Sequence, residues 1–270
     1  MELYFGNAHF EMGRPTGART HIESLIRGLH QLGHRVWVGK DSESEQGHRL
    51  PEGIMQRWRL LRDVDAIYLR FEGHPIKLSR RLRIEMALLG SKKPVVWEMN
   101  ATSDYCKLMW GAEGQEVDLK RLDEKIRRQT RRVRLAVCNT EGLEQYSQFL
   151  GIPRSAVIPL GSDPTFFKPN IPCCQEVLKQ GAALNVVWCG SPEIRWHDID
   201  SIVSAARLLR EDERIRFFII GKMNQLSGCP ENVAVLGEIP RERLPSVLSC
   251  MDVGLALYRE PSWSRFGVYS

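Results

Sequence analysis

The chain has 270 residues, of which 43% are hydrophobic and 26% charged, and its formal net charge is +5. This composition excludes disordered and collagen-like chains, and the length suffices for two α/β domains of ordinary size. No run of about 18 apolar residues occurs, and no basic segment precedes an apolar one near the amino terminus, so neither a membrane-spanning helix nor a secretory leader is predicted.

The first half alternates predicted strands and helices. Residues 1–8 have the pattern of a strand, and residues 20–32 place apolar side chains at helical spacing before Gly33, which is expected to end the helix. This alternation is typical of βαβ units. Further strands are predicted at 35–38, 66–69, 95–98 and 135–138, and further helices at 119–134 and 141–150.

The second half repeats the alternation. Its strands are apolar on both faces, which predicts a parallel sheet covered on both sides. Gly190, Gly221 and Gly237 follow three of these strands, at the edge where open α/β sheets bind ligands. The alternative is that each glycine merely ends a strand. The strands are predicted at 185–189, 216–220, 233–236 and 253–257, and the helices at 200–210 and 244–251.

Between the halves lies the segment V-I-P-L-G-S-D-P-T-F-F-K-P, residues 157–169. Gly161 allows backbone freedom, and Asp163 before Pro164 favours a turn. We therefore expect a first domain at 1–158, a linker at 159–170 and a second domain at 171–270. A crevice between two such domains is a usual place for a small substrate.

Seven cysteines are present, and none forms a C-x-x-C pair. The odd number favours reduced thiols in a cytoplasmic protein. Cys138 and Cys189 lie in apolar runs, where a thiol usually behaves as a small hydrophobe. No metal site is predicted.

An ordered series of fragments resembles the GT-B-fold glycosyltransferases, and glycosyltransferase family 4 in particular. The resemblance implies an α/β chain with two Rossmann-like domains, the second of them incomplete at Ser270, so we expect a truncated chain. It also implies transfer of a sugar from a nucleotide-sugar donor, generally with retention and without an obligatory metal or a cofactor. The fragments are Gly17 with Q-L-G-H-R-V, K-P-V-V-W-E-M-N-A, the segment quoted above, V-V-W-C-G, F-F-I-I-G, V-A-V-L-G and M-D-V-G-L-A-L-Y.

On the acceptor side, the resemblance implies that the loop 13–18, with Gly17, approaches the donor sugar. Glu98 and Asn100 follow a strand, where they can bind acceptor hydroxyls. The alternatives are that residues 13–18 form only a flexible surface loop and that Glu98 only caps nearby backbone. Many relatives have a histidine in this neighbourhood, and the sequence around Glu98 contains none.

On the donor side, relatives carry an Arg and a Lys that neutralise the diphosphate. This chain has Ser191 at the first place and Trp196 or His197 near the second. Arg195 could bring one positive charge into the site, but its displaced guanidinium is not an equivalent clamp. Ser264 or Arg265 stands where relatives have a Glu, and Glu260 comes slightly before that position in the sequence. The donor-binding candidates are Gly161, Gly190, Ser191, Arg195, His197, Gly221, Glu260 and Ser264.

Residues 120–134 carry eight Lys and Arg side chains and two acidic ones. This helix can hold the protein at anionic lipid, at the inner face of a membrane, or at a polyanionic acceptor, but the spread of the charges around the helix favours a simple solvated face. Nucleic-acid binding is not expected, because no recognition motif accompanies the charge.

Two other functions remain open. A non-catalytic binding or assembly module would explain the missing cations and glutamates. A dinucleotide oxidoreductase is disfavoured, because no G-x-G-x-x-G follows the first strand. The sequence does not name the acceptor: a glycan, a lipid and a small molecule are all compatible with it.

Overall fold

The computed structural model describes residues 1–6, 17–39, 47–51, 53–75, 93–106, 117–174, 184–192, 197–223, 228–258 and 265–266. The chain forms two compact units. The first comprises Met1–Gly161 together with Trp263–Ser270, and the second comprises Ser162–Ser262. None of the described helices is long and apolar enough to cross a membrane.

The first unit contains a seven-stranded sheet in the order β3-β2-β1-β4-β5-β6-β7, with every pair parallel. Parallel neighbours need a crossover, and within the described ranges the helices Gly17–Gln31, Leu119–Thr130 and Glu141–Phe149 each supply one between neighbouring strands. The elements are β1 (Glu2–Phe5), α1 (Gly17–Gln31), β2 (Arg35–Val38), β3 (His48–Arg49), α2 (Ile54–Asp63), β4 (Ala66–Glu72), β5 (Val95–Ala101), α3 (Leu119–Thr130), β6 (Val133–Cys138), α4 (Glu141–Phe149) and β7 (Ser155–Val157).

Apolar side chains on both faces hold this sheet. Phe71 on β4 and Trp97 on β5 are buried and stack with ring centroids 4.8 Å apart. On α1, Ile22 and Ile26 are one helical turn apart and both are buried against the sheet. The periodicity that predicts this helix therefore marks the face that packs on the core.

Glycines follow two helices, and Gly33 does so as predicted. Gly33 and Gly151 have φ of +79° and +80°, a left-handed conformation that glycine adopts without steric cost. At the other ends, Asp118 caps α3 and Thr140 caps α4, each accepting a hydrogen bond from the backbone N–H three residues on.

The predicted helix 119–134 is wrong at its carboxyl end. The helix stops at Thr130, and β6 starts at Val133, which is buried in the sheet. The basic residues of the turn hide this change of structure in the sequence. The sequence also gives no sign of the short strands β3 and β7, because two or three residues carry no period.

The second unit contains a four-stranded parallel sheet in the order β10-β9-β8-β11. One core on this sheet includes Trp188 and Phe217, and a second includes Val187 and Phe218. The predicted buried parallel sheet is confirmed. The elements are β8 (Leu184–Cys189), α5 (Ile199–Leu208), β9 (Ile215–Ile220), β10 (Val233–Gly237), a 3-10 turn (Arg241–Arg243), α6 (Leu244–Leu248) and β11 (Val253–Leu255).

The division of the chain differs from the predicted boundaries. The units divide between Gly161 and Ser162, and Trp263–Ser270 groups with the first unit, although the sequence predicts 171–270 as the second domain. The physical reason is a set of contacts that Arg265 and Phe266 make with the first unit, described below. The turn predicted at Asp163 forms, because its side chain accepts hydrogen bonds from the Thr165 backbone and hydroxyl.

The prediction of reduced thiols is wrong for two cysteines. Cys173 and Cys250 form a disulfide within the second unit, although 77 positions separate them, because the fold brings their Cα atoms to 4.9 Å. An odd number of cysteines requires one unpaired thiol but does not forbid a pair. The other five are free, and Cys138 is buried as expected while Cys189 is exposed.

We expect alkylation of the denatured protein without a reducing agent to label the five free cysteines and to leave Cys173 and Cys250 unlabelled. Peptide mapping by mass spectrometry should then detect the two peptides joined, and reduction should release both. Labelling of all seven cysteines without reduction would contradict the pairing.

Candidate functional site

In the first unit, Glu98 lies on β5 and is 5% exposed. Its Oε1 atom is 2.5 Å from Nε2 of His21 and 3.3 Å from Nδ2 of Asn100, which donates to it. A buried carboxylate needs such partners, since an unpaired one is costly. Two of the predicted residues, Glu98 and Asn100, are thus in direct contact.

Opposing effects act on the Glu98 carboxyl. Burial tends to raise its pKa, but the hydrogen bond and charge of His21, the charge of Arg70 and the hydrogen bond from Asn100 outweigh burial and lower the pKa below its usual value. Burial, followed by the nearby Glu98 charge, raises the pKa of the Tyr68 phenol. At neutral pH, the site therefore holds an ionised carboxylate beside a neutral phenol.

His21 corrects the expectation that no histidine lies near Glu98. The ring comes from α1 and not from the strand, and its side chain is 31% exposed. Gly17 is the first residue of the same helix, one turn before His21, while residues 13–16 of the predicted loop lie outside the described residues. The only sequence signal for this pair is the position of His21 early in the first helix.

In the second unit, the glycines at the carboxyl ends of three strands form a row. Gly190 N–H donates to the Ile220 carbonyl, and Gly221 N–H donates to the Gly237 carbonyl, each at 3.0 Å. A Cβ at Gly190 would lie 2.7 Å from Cζ2 of Trp188, and a Cβ at Gly221 would overlap the Gly190 carbonyl oxygen. Glycine is required at both positions because neighbouring atoms lie where a Cβ would be, so these residues do more than end strands.

The His197 ring packs beside Gly190 in this row. Its Nδ1 atom is 2.7 Å from the Ser191 carbonyl oxygen, so Nδ1 carries the proton that is donated. The ring also packs edge-on against Trp188 at 5.3 Å and pairs through a β-bridge with Tyr258, whose ring is 5.8 Å away. Gly190, Ser191, His197 and Gly221 are therefore brought together as one cluster.

The helix that follows this cluster begins with a carboxylate. Asp198 caps α5, where its side chain accepts from Ser201 N–H at 3.3 Å and from Ser201 Oγ–H at 2.6 Å. The cap stabilises the helix but adds negative charge at the end that attracts anions.

Of the remaining predicted residues, only Gly161 is described, and it is not part of either cluster. Gly161 is exposed at the end of the first unit, and a Cβ added there would meet no atom within 4 Å. Arg195, Glu260 and Ser264 lie outside the described residues. Within the described ranges, no group of three His, Cys, Asp or Glu side chains has the arrangement of a metal site.

Tyr258 is a residue that the sequence does not single out. It lies beyond β11, is 41% exposed, and is joined to His197 by the β-bridge. A lone aromatic residue after a strand gives no signal of its own, because only the pairing of distant segments brings it to the cluster.

No protein-family profile matches the sequence, and no curated protein matches it either. Solved structures do match, and they define the class of fold: both parallel sheets belong to the GT-B architecture of glycosyltransferases.

One match is sucrose-phosphate synthase from Thermosynechococcus elongatus, at TM-score 0.63 and 13% identity, covering 94% of this chain and 74% of that one. A glycosyltransferase from Rickettsia africae matches at TM-score 0.59 and 12% identity, covering 94% and 72%. An α-glucosyltransferase in complex with UDP matches at TM-score 0.59 and 10% identity, also covering 94% and 72%. At these identities the comparison establishes the fold.

Proposed function

We propose that this protein transfers a sugar from a nucleotide-sugar donor to an acceptor hydroxyl. The observation that carries the proposal is the likeness of fold along 94% of the chain to glycosyltransferases, one of them in complex with UDP. We assign the donor to the second unit and the acceptor to the first. The resemblance of the motifs supports transfer with retention and without an obligatory metal.

The donor would bind at the cluster of Gly190, Ser191, His197 and Gly221. Gly190 packs closely against the Trp188 ring and Gly221 against Pro192 and the Gly190 carbonyl, so the absence of a Cβ at these two positions allows the strand ends to pack this tightly. Because Nδ1 of His197 donates to a carbonyl, a phosphate oxygen or the leaving diphosphate would meet Nε2, which donates to it when the ring carries protons on both nitrogens. The acceptor oxygen would form the new bond to the anomeric carbon as the bond from that carbon to the diphosphate breaks, and the diphosphate would keep the electron pair and take up the acceptor proton.

The acceptor would bind at Glu98, His21 and Asn100. Oε2 of Glu98 is buried and has no geometric hydrogen bond within the described residues, but the Tyr68 phenol interacts with the Glu98 carboxylate through its charge and a side-chain hydrogen bond. The acceptor hydroxyl would therefore approach the side of the cluster that His21 and Asn100 form. The partly exposed ring of His21 gives the site contact with solvent.

A test of the donor site is ligand-observed NMR with UDP and UDP-glucose. We expect His197→Ala to weaken UDP binding about tenfold, the size of one charged hydrogen bond. His48→Ala is the matched control, because His48 is exposed and lies in the first unit, and it should leave binding unchanged. Equal affinities in the two variants, or no binding of either ligand by the wild type, would overturn this donor site.

A second candidate function is a non-catalytic module with the glycosyltransferase fold. The observation that favours it is Asp198, whose carboxylate occupies the start of α5 where an incoming phosphate would be repelled. The two candidates differ in turnover. Binding of UDP-glucose without hydrolysis or transfer to any acceptor would support the module, and release of glucose would support the enzyme.

We also propose that α3 brings the protein to anionic membrane. The charged residues of this helix are exposed, with the exception of Asp123, while Leu122 and Ile126 face the core. A cavity of about 260 Å³ beside the helix is lined by Glu124, Arg127, Arg128 and Arg131. Its arginines can contact lipid phosphates, each basic residue giving about 1 kcal/mol.

We expect a variant with four arginines replaced by Gln to bind phosphatidylserine vesicles less strongly than the wild type, and the difference should depend on salt concentration. The four are Arg121, Arg128, Arg131 and Arg132. Arg127 is kept, because its guanidinium donates to the Phe149 carbonyl. The control changes four exposed arginines elsewhere, Arg59, Arg62, Arg210 and Arg214, by the same total charge. If the control loses as much vesicle binding in sedimentation, net charge and not this helix is responsible.

A further inference from the structure

Two buried carboxylates of the first unit take no part in the site proposed above. Asp104 is 0% exposed and Asp123 is 3% exposed. Asp104 lies just beyond β5, and Asp123 lies on the buried face of α3. Two negative charges taken out of water in this way are costly unless each is paired and hydrogen-bonded.

Arg265, distant in sequence, pairs with both. Its Nε donates to Asp104 Oδ1 at 2.7 Å, and its backbone N–H donates to Asp104 Oδ2 at 3.0 Å. One terminal nitrogen donates to Asp123 Oδ2 at 3.0 Å and the other to Ser103 Oγ at 2.9 Å. All three nitrogens of the guanidinium thus have an acceptor.

Neighbouring groups complete the arrangement. Asp123 Oδ1 accepts from Ser103 Oγ–H at 2.5 Å and from the Tyr146 phenol at 3.0 Å. Burial, before any other cause, raises the pKa of Tyr146, so the phenol stays protonated and remains a donor. Every carboxylate oxygen of Asp123 therefore has a partner.

Aromatic rings hold the same segment. Phe266 packs against Tyr146 and Phe149 with centroids 5.1 and 5.7 Å apart, and the Arg265 guanidinium lies 5.8 Å from the centre of the Phe149 ring. The Arg265 side chain is 38% exposed, so only its inner edge is buried. Burial lowers the pKa of this guanidinium, but its hydrogen bonds to Asp123 and Asp104 raise it overall.

We propose that Ser103, Asp104, Asp123 and Tyr146 form a guanidinium-binding site on the first unit, and that Arg265 anchors its own segment of the chain there. The planar fork of arginine fits three separate acceptors at once, whereas the ammonium of lysine is a single point of charge. The site also explains why an aspartate stands on the buried face of the basic helix α3.

Occupancy of this site fixes the residues that follow β5. Ser103 and Asp104 both contact Arg265, and they come three and four positions after Asn100. Loss of Arg265 would leave two buried charges without a counterion, and the local structure at 103–106 and in α3 would open to relieve them. The proposal does not depend on sugar transfer.

The experiment compares Arg265→Ala, Arg265→Lys and the control Arg214→Ala in the full chain. Arg214 also makes a two-point contact with an aspartate, Asp212, but at the exposed surface. We expect Arg265→Ala to lower Tm by roughly 5 °C or more and to speed amide exchange in α3 about tenfold. Arg265→Lys should recover little of the loss, and Arg214→Ala should match wild type.

Chemical rescue provides the second measurement. Millimolar methylguanidinium should slow α3 exchange in Arg265→Ala, whereas methylammonium at equal concentration should not. If Arg265→Ala does not fold, Arg265→Gln is made both in the wild type and in the Asp104→Asn variant. If Arg265 pairs with Asp104, the loss of Tm caused by Arg265→Gln is smaller in the Asp104→Asn background. The proposal is overturned if Arg265→Ala or Arg265→Lys behaves as wild type, if both cations rescue equally, or if the two Arg265→Gln losses are equal.

Discussion

Replacing Gly73 with alanine is expected to lower the free energy of unfolding of the first unit by about 3–5 kcal/mol. Gly73 follows β4 and has φ of +78°, so alanine would be forced into a left-handed conformation. Its Cβ would also overlap the Thr102 carbonyl oxygen and lie 3.0 Å from the Thr102 carbonyl carbon. Backbone atoms cannot move aside as a flexible side chain can.

Gly33→Ala separates the two causes. Gly33 has nearly the same φ, +79°, but no atom lies within 4 Å of the added Cβ, so only the conformational cost of about 1–2 kcal/mol applies. Denaturant titration of both variants measures the difference. Equal losses would mean that the close approach of Gly73 to Thr102 contributes nothing.

The second large effect is expected at Glu98. Glu98→Gln should lower the free energy of unfolding by about 2 kcal/mol at pH 7, because the amide cannot replace a carboxylate hydrogen-bonded to His21. Burial is the largest single effect on the pKa of Glu98 and raises it. His21, Arg70 and Asn100 together outweigh burial, so the pKa of Glu98 is lowered in the folded protein. Its carboxylate therefore stabilises the fold above the unfolded pKa, and that stability is lost as the pH falls through the folded value.

The loss caused by Glu98→Gln should consequently shrink as the pH falls below the unfolded pKa of a glutamate and through the lowered pKa of Glu98 in the folded protein, where the wild-type carboxyl becomes protonated too. Glu211→Gln is the control, because the Glu211 side chain is 85% exposed beside Arg210, and it should have little effect at any pH. A loss for Glu98→Gln that is the same at pH 3 and pH 7 would contradict the ionised pair.

Much of the fold could be predicted from sequence because its signals are local. The apolar runs at 66–69, 95–98 and 216–220 lie within β4, β5 and β9, and the helical spacing of Ile22 and Ile26 marks α1. Each of these patterns records which face of an element is buried. The boundary near 130 escapes prediction, because the basic residues there carry no sign of a buried face.

The candidate site was only partly predictable. Glu98 lies near the carboxyl end of β5 and Gly190 follows β8, so topology could place both at a sheet edge. His21, Tyr258 and Arg265 could not, because each reaches its partner across a long stretch of chain. Hydrogen bonds between distant segments leave no periodic pattern in the sequence, so they are seen only in the three-dimensional structure.

The position of β1 has a consequence for how the protein is made. This strand lies inside the sheet, with β2 on one edge and β4 on the other, and Leu3 is in register with Ala66. One edge of β1 therefore stays unpaired until β4 has been synthesised. Such distant parallel pairing slows folding and exposes apolar strand edges during synthesis, so yield should depend on the rate of translation and on chaperones more than on the final stability.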